Sequence, residues 1–219
     1  WEHGGKLYLR VVDYKTGKKT FDLAELRYGL GLQMLLYLFA LEQEGGALFG
    51  GKEIVPAGVL YTPAREPMLR CARNTADETI EKARKKELRR SGMVLEDPAV
   101  LEAMEHDALD APEYLPIAVK KGGALSGSLA SEGQFAKLAK YVDRVLREIA
   151  DEVFAGNINA DPYARTPQQS ACTYCEFASA CHFENGRGGD HMEYIKATKT
   201  DEFWSYIDEV NGEGGRKNG

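Results

Sequence analysis

Two pairs of polar side chains near the start of the chain have the types and spacing that could support phosphodiester hydrolysis. Asp13 and Lys15 are separated by one residue, and Gln33 and Tyr37 are separated by three. A carboxylate oxygen is a preferred ligand of Mg²⁺, and a neighbouring ammonium could orient the attacking water or steady charge on a phosphate. A solvated hairpin end would account for Asp13 and Lys15 equally well if they stood alone.

The residues around Asp13 predict a strand. Polar and apolar side chains alternate over residues 6–15, and residues 16–19 have the composition of a turn. Because side chains in a strand repeat every second residue, Asp13 and Lys15 are expected on one face.

The next segment predicts one helix, which begins at Asp22 as its N-cap. Successive spacings of four, three and four residues predict that one face of this helix carries Leu26, Leu30, Gln33 and Tyr37. A buried amide without a partner would cost about 1–3 kcal/mol. Gln33 is therefore either a satisfied core residue beside an ordinary tyrosine or part of a site that faces the Asp13 strand.

Punctuation by proline, glycine and capping residues predicts the remaining elements. We expect a strand near 59–62 bounded by Pro56 and Pro63, and a basic helix over 74–91 that ends at Gly92. A short helix should cover 98–106, and residues 107–128 should form a loop with one short strand near 114–119. The pair Ser131 and Gln134 has a capping-box spacing and predicts a helix that ends at Gly156, and another helix is expected over 200–210. The glycine-rich tail, 211–219, has the composition of disorder.

The bulk composition restricts the possible functions. The chain has 219 residues, 43% of them hydrophobic, and a formal net charge of -6. That charge argues against nonspecific coating of nucleic acid, although a local acidic metal site stays possible. The apolar runs are too short to span a bilayer, so we expect no membrane partner. The chain begins with Trp1 and runs at once into a strand, so we expect it to be an N-terminally truncated piece of a longer protein.

Three of the four cysteines lie within ten residues, as C-x2-C-x5-C through Cys172, Cys175 and Cys181. Such clustering favours a metal or cluster site in a reducing, cytoplasmic compartment over a disulfide framework. The alternatives are a zinc knuckle completed by His182 or His191, inert buried thiols, or a [4Fe-4S] cluster that needs a fourth ligand.

The motifs Asp13-x-Lys15 and Gln33-x-x-x-Tyr37 together resemble the RecB-like nucleases of the PD-(D/E)xK superfamily. That resemblance implies an α/β fold, a restriction-endonuclease-like core in which helices flank a mixed sheet. It also implies that all four residues belong to one catalytic site, with Asp13 as a metal ligand for Mg²⁺.

With the cysteine motif, the chain resembles the B subunits of AddAB-type ATP-dependent helicase-nucleases. The stretches that carry this likeness are "PAGVLYTPAREPM", "RKKELRRSGMVLEDPAVLEAM", "FAGNINADPYAR" and "SACTYCEFASACHFE". The resemblance implies Mg²⁺-dependent cleavage of single DNA strands from unwound duplex ends during double-strand-break repair, with the A subunit as partner. It also implies a [4Fe-4S] cluster on Cys172, Cys175 and Cys181 whose fourth cysteine lies upstream, so that Cys71 need not substitute.

In that family a second metal-binding aspartate and a histidine precede the position of Trp1. We therefore expect this chain alone to be inactive or nearly so, with Glu25 as a weaker candidate for a second ligand. The expected organisation is a nuclease core over 1–165 with a helical insertion around 74–106, a cysteine segment over 166–195, and a helix and tail over 196–219. The rival interpretations are a stand-alone RecB-like, CRISPR-associated exonuclease and a noncatalytic zinc-binding interaction module.

Overall fold

The computed structural model describes residues 1–213 and divides into two compact units. The first unit holds residues 1–21 and 31–140, and the second holds residues 22–30 together with those from 141 onward. The strands are β1 Glu2–His3, β2 Lys6–Lys15, β3 Glu53–Pro63, β4 Ser91–Leu95, β5 Ile117–Val119, β6 Leu125–Gly127, β7 Leu129–Ala130, β8 Tyr163–Thr166, β9 Gln169–Ser170 and β10 Glu193–Tyr194. The helices are α1 Leu23–Arg27, α2 Gln33–Glu44, α3 Asp77–Glu87, α4 Pro98–Met104, α5 Glu132–Phe154, α6 Ala178–Cys181 and α7 Thr200–Glu213.

The first unit is built on a five-stranded mixed sheet, as the sequence predicted. Its strand order is β1-β2-β3-β4-β7, in which β2 and β3 run parallel, as do β4 and β7, while β3 and β4 run antiparallel. Helix α2 packs against β2 and β3, and α4 packs against β4. The buried cluster between sheet and helices includes Leu60, Val94, Leu101, Ala108, Leu115 and Ile117.

Strand β3 is longer than predicted, because Pro56 lies inside it rather than before it. The register shifts between Leu9 and Arg10 of β2, whose partners are Pro56 and Gly58. Proline is tolerated within a sheet at such a bulge, where the hydrogen-bond ladder is already interrupted. The predicted end at Pro63 is confirmed.

The predicted basic helix over 74–91 is wrong at its C-terminal end. Helix α3 stops at Glu87, and the segment "SGMVL" forms the buried strand β4. Gly92 is a strand residue in close contact with β3 rather than a helix stop. A Cβ at this position would lie 1.9 Å from the carbonyl oxygen of Val59, so only glycine fits.

The predicted single helix after Asp22 is two helices. Asp22 caps α1 by accepting a hydrogen bond from the backbone N–H of Ala24 at 2.8 Å. Helix α1 then ends, and Gly29 follows its C-cap with a φ of 72°, a left-handed conformation that favours glycine and stops the helix. Leu26 and Gln33 consequently lie on different helices, and the continuous stripe predicted from the sequence is wrong.

Other predictions hold with adjusted bounds. The capping box is confirmed, since Ser131 N donates to Gln134 Oε1 at 2.9 Å and Gln134 N donates to Ser131 Oγ at 3.2 Å. The expected loop over 107–128 contains a hairpin, β5 and β6, rather than one strand. Helix α7 continues to Glu213, so 211–213 are helical, and the rest of the predicted disordered tail lies outside the described residues. Within residues 1–213, none of the helices combines the length and apolarity needed to cross a bilayer.

Candidate functional site

The pairing of β2 with β3 positions Asp13 and Lys15 at the edge of the sheet. Asp13 lies opposite Tyr61 and Lys15 lies opposite Pro63, the last residue of β3. Because the two strands are parallel, their carboxyl ends meet at one edge, and the segment that follows β2 begins there. The predicted acid and lysine therefore occupy the rim of the sheet, where a ligand can reach them.

Asp13 and Lys15 form an ion pair, with Lys15 Nζ 2.8 Å from Asp13 Oδ2. The predicted shared face is confirmed by this contact. The side chains are 29% and 39% exposed respectively, so the pair is partly shielded yet accessible. The hydrogen bond with Asp13 raises the pKa of Lys15 above its usual value, despite partial desolvation. Lys15 is therefore a cation at neutral pH, which can donate hydrogen bonds and steady negative charge but cannot act as a base.

Tyr61 is a neighbour of the pair that sequence reasoning missed. Its ring is buried, and Lys15 Nζ lies 5.7 Å from the ring centroid. Lys19 Nζ lies 5.9 Å from the same centroid. A cation over an aromatic ring at this distance is attracted by the ring's quadrupole, so Tyr61 helps to hold the lysine in place. The cross-strand register needed to foresee this contact cannot be read from either strand alone.

Gln33 and Tyr37 are brought together by the first turns of α2. Gln33 Nε2 donates a hydrogen bond to Tyr37 Oη at 3.0 Å, and both side chains are exposed, Tyr37 by 54%. The expected cost of a buried glutamine therefore does not arise. The buried face of α2 is instead formed by Met34, Leu35, Leu38 and Phe39. The pair is a polar surface feature of the helix that packs against β2 and β3.

Glu25, the weaker candidate for a second metal ligand, has another partner. Arg165 Nη2 donates to Glu25 Oε1 at 3.0 Å and also pairs with Asp22 Oδ2. All three residues belong to the second unit. The hydrogen bond with Glu25 is the largest cause that raises the pKa of Arg165 above its usual value, and the hydrogen bond with Asp22 is the next largest.

The cysteine motif lies in the second unit, on two consecutive turns and a single-turn helix. Cys175 N donates to Cys172 O at 3.2 Å, Ala178 N donates to Cys175 O at 3.3 Å, and α6 ends at Cys181. All three thiols are free, Cys172 half-buried and the other two exposed. Cys71, which is also free and exposed, belongs to the first unit. Of the two histidines that could complete a zinc site, His191 lies 3.5 Å from Glu193 Oε1, and His182 follows α6.

Over residues 1–213, the described side chains include no group of three or more Cys, His, Asp or Glu arranged to hold a metal ion. The types of donor nevertheless fit the expected groups. A carboxylate such as Asp13 suits Mg²⁺, and three free thiols at C-x2-C-x5-C spacing suit an iron-sulfur cluster.

Most of the chain matches a known protein-family model. The family model described as the PD-(D/E)XK nuclease superfamily matches residues 2–182, which include both polar pairs and all three clustered cysteines.

Curated relatives are named as the B subunits of ATP-dependent helicase/deoxyribonucleases. The one from Thermoanaerobacter sp. (strain X514) is 32% identical over 217 residues, 98% of this chain and 19% of the relative. The one from Acetivibrio thermocellus is 36% identical over 202 residues, 91% of this chain and 18% of the relative. The one from Clostridium kluyveri is 34% identical over 204 residues, 92% and 18% respectively. The chain thus spans less than a fifth of the length of these relatives.

Proposed function

Because this chain belongs to the PD-(D/E)XK nuclease superfamily, we propose that it is the DNA-cleaving domain of a bacterial helicase-nuclease that processes double-strand breaks for recombinational repair. The observation that carries the proposal is the Asp13–Lys15 ion pair of 2.8 Å at the common edge of two parallel strands. The reaction is Mg²⁺-dependent, exonucleolytic hydrolysis of phosphodiester bonds in the single strands released by unwinding.

The two members of the pair have different roles. Asp13 would hold Mg²⁺ through its carboxylate, and the bound ion would supply Lewis-acid stabilisation of charge on the scissile phosphate. Lys15 remains protonated, so it donates hydrogen bonds that orient the attacking water and stabilise the developing negative charge. Stabilisation of this kind is worth the most in a site where the donor is already positioned, and Asp13 and Tyr61 provide that positioning.

Gln33 and Tyr37 are proposed to contact the DNA or to brace the site. Their mutual hydrogen bond leaves the Tyr37 hydroxyl able to donate and the Gln33 carbonyl oxygen able to accept. Both groups are exposed on α2, which packs against the strand that carries Asp13. Proton transfer is not assigned to either residue.

Cys172, Cys175 and Cys181 are proposed to ligate a [4Fe-4S] cluster, with a fourth cysteine from elsewhere in the whole protein. When bound, the cluster would cross-link the segment after β9 and serve a structural rather than a redox role. The whole protein is proposed to act in the cytoplasm, together with the A subunit that the relatives' designation as B subunits implies.

The proposal is tested by cleavage of a labelled single strand by the whole protein and its partner subunit in the presence of Mg²⁺. Asp13→Ala and Lys15→Ala are each expected to slow cleavage by about 10²-fold or more, the usual loss when a transition-state electrostatic contact is removed. ATP-dependent unwinding, measured on the same preparations, should persist.

Lys6→Ala is the matched control, because Lys6 lies on the same strand and forms the same kind of pair, 2.7 Å from Glu53 Oε1. It should cut at the rate of the unsubstituted protein. If Asp13→Ala and Lys15→Ala also cut at that rate, the assignment of the catalytic pair is wrong.

A further inference from the structure

A small, strongly basic pocket lies beside the catalytic pair, in the first unit. It has a volume of about 180 Å³, and six of its thirteen lining residues are lysine or arginine whereas one, Glu87, is acidic. The six basic residues are Lys15, Lys18, Lys19, Arg65, Lys86 and Arg89. The chain as a whole has a net charge of -6, so this concentration of positive charge is local. Lys15 belongs both to this pocket and to the ion pair with Asp13.

The pocket is shaped by the segment that connects β2 to α1. At its start, Lys15 O accepts a hydrogen bond from Ala64 N at 2.9 Å, and near its end Phe21 N donates to Ser91 Oγ at 2.7 Å. The segment therefore passes from the end of β2 to the start of β4, across the end of β3. This path places Lys18 in the same pocket as Arg65, which follows β3, and Lys86, which lies in the last turn of α3.

Within the described part of the chain, at least three of the six cations that line the pocket have no carboxylate partner. Along residues 1–213, Lys18, Arg65 and Lys86 are exposed and make no ion pair with a carboxylate. Glu66, which follows Arg65 in the chain, pairs with Arg84 instead, and Glu113 pairs with Lys85 rather than with Lys86. Arg89 donates from its guanidinium to the backbone carbonyls of Leu115 and Ile117, which leaves its positive charge in place.

We propose that this basic pocket binds a backbone phosphate of single-stranded DNA through Lys18, Arg65 and Lys86. The bound phosphate is the neighbour, along the same strand, of the phosphate that is being cut. The inference deepens the proposed nuclease function and rests on it. Lys15 lines the pocket and also pairs with Asp13, so a phosphate held here is next to the catalytic pair. Contacts to phosphate set the position of a strand without reading its bases, as a nuclease that follows an unwound strand requires.

The test is the salt dependence of single-strand binding by the whole 219-residue chain, measured by fluorescence anisotropy with a labelled oligo-dT and without Mg²⁺. For single strands, each phosphate contact contributes about 0.7 to the slope of log K against log salt. The triple variant Lys18→Ala/Arg65→Ala/Lys86→Ala should therefore flatten the slope by about 2 between about 50 and 200 mM salt and weaken binding at the low end.

The control is Lys82→Ala/Lys120→Ala/Lys121→Ala, which removes the same charge from exposed residues of the first unit that do not line the pocket. Its slope should stay close to that of the unsubstituted chain. Equal flattening in the two triple variants would mean that only net charge matters, and an unchanged slope in the pocket variant would equally overturn the inference. Failure of the unsubstituted chain to bind oligo-dT would overturn it as well.

Cleavage kinetics of the whole protein distinguish a failure of this inference from a failure of the proposed function. The pocket variant should raise KM for single strands while kcat changes little, because the pocket binds substrate and transition state alike. If Asp13→Ala cuts normally, the catalytic assignment fails while the binding slopes still decide the pocket. If Asp13→Ala is inactive and the slopes of the pocket variant are unchanged, the pocket alone is wrong.

Discussion

At the scale of single residues, Gln33 and Tyr37 form an exposed polar pair on α2 that is proposed to belong to the site. Gln33 and Tyr37 satisfy each other through one hydrogen bond, and their burial contributes nothing to the core. The proposed role of the pair is contact with DNA, from a helix that packs against the strand of Asp13. Their substitution should therefore affect catalysis rather than folding.

Tyr37→Phe removes the acceptor of the Gln33 amide and the free hydroxyl donor. We expect kcat/KM for single-strand cleavage to fall about tenfold, the equivalent of one hydrogen bond of about 1.4 kcal/mol, with the free energy of unfolding changed by less than about 0.5 kcal/mol. Cleavage kinetics and urea denaturation measure the two quantities. Tyr14→Phe, at a 70% exposed tyrosine on β2, is the control and should change neither. Equal activity of both variants would remove Tyr37 from the site.

The sequence allows the two polar pairs to be predicted because each depends on one element's period. A spacing of two in a strand puts Asp13 beside Lys15, and a spacing of four in a helix puts Gln33 beside Tyr37. Tyr61, Arg65 and Lys86 could not be foreseen as neighbours of Lys15. Their approach depends on the register of β2 against β3 and on the path of the segment after β2, which neither periodicity nor charge reveals.

At the scale of elements, the short helix α1 depends on a side chain from α5 within the second unit. Tyr141 Oη lies 2.9 Å from the carbonyl oxygens of both Leu26 and Arg27, the last residues of α1. The carbonyl of Leu26 also accepts from Gly29 N at 3.0 Å, whereas the carbonyl of Arg27 lies at the end of the helix and receives its donor from the hydroxyl. Burial is the main cause that raises the pKa of Tyr141 well above its usual value.

Tyr141→Phe should lower the free energy of unfolding by about 1–2 kcal/mol, because the hydrogen bonds from a buried hydroxyl to the carbonyls of Leu26 and Arg27 are lost. The folded-state pKa lies above the unfolded value of about 10, so the stabilisation is complete below about pH 10 and declines as the pH rises further. The difference between the two proteins, measured by denaturation from neutral pH to above about 10, should therefore shrink at alkaline pH. Tyr174→Phe, at a tyrosine that is 95% exposed, should match the unsubstituted protein throughout. A constant difference would contradict the role of the hydroxyl.

Elements with strong local signals were predictable and those defined by partners were not. The capping box and apolar stripe identify α5, and alternation identifies β2. Strand β4 has five residues and contains Gly92, which by itself favours a helix end or a turn. Only the contact of that glycine with Val59 explains its place in the sheet.

At the scale of the whole molecule, the proposed catalytic pair lies in the first unit and the cysteine motif in the second. The motif contributes three free thiols but no residue to the pair. A cluster held there would act on the stability of its own segment and leave the chemistry to Asp13 and Lys15.

Iron and acid-labile sulfide, measured in whole protein purified without oxygen, test the cysteine assignment. Cys172→Ser, Cys175→Ser and Cys181→Ser should each lose most of both, because a serine oxygen is a poor ligand for a cluster. Cys71→Ser is the control and should retain them. One zinc per chain with no sulfide would instead support the zinc-binding interpretation.

Cleavage by the isosteric variant Asp13→Asn, in the whole protein with its partner and over a range of Mg²⁺ concentrations, tests the central claim most directly. The amide keeps the size of the side chain and can still accept from Lys15, but it loses the negative charge that would hold the metal ion. We expect unwinding and single-strand binding to persist while cleavage falls by at least about 10²-fold at every Mg²⁺ concentration. Cleavage at the unsubstituted rate, with the same dependence on Mg²⁺, would contradict the assignment of Asp13 as the metal ligand. It would also contradict the proposal that this domain cuts DNA at the Asp13–Lys15 pair.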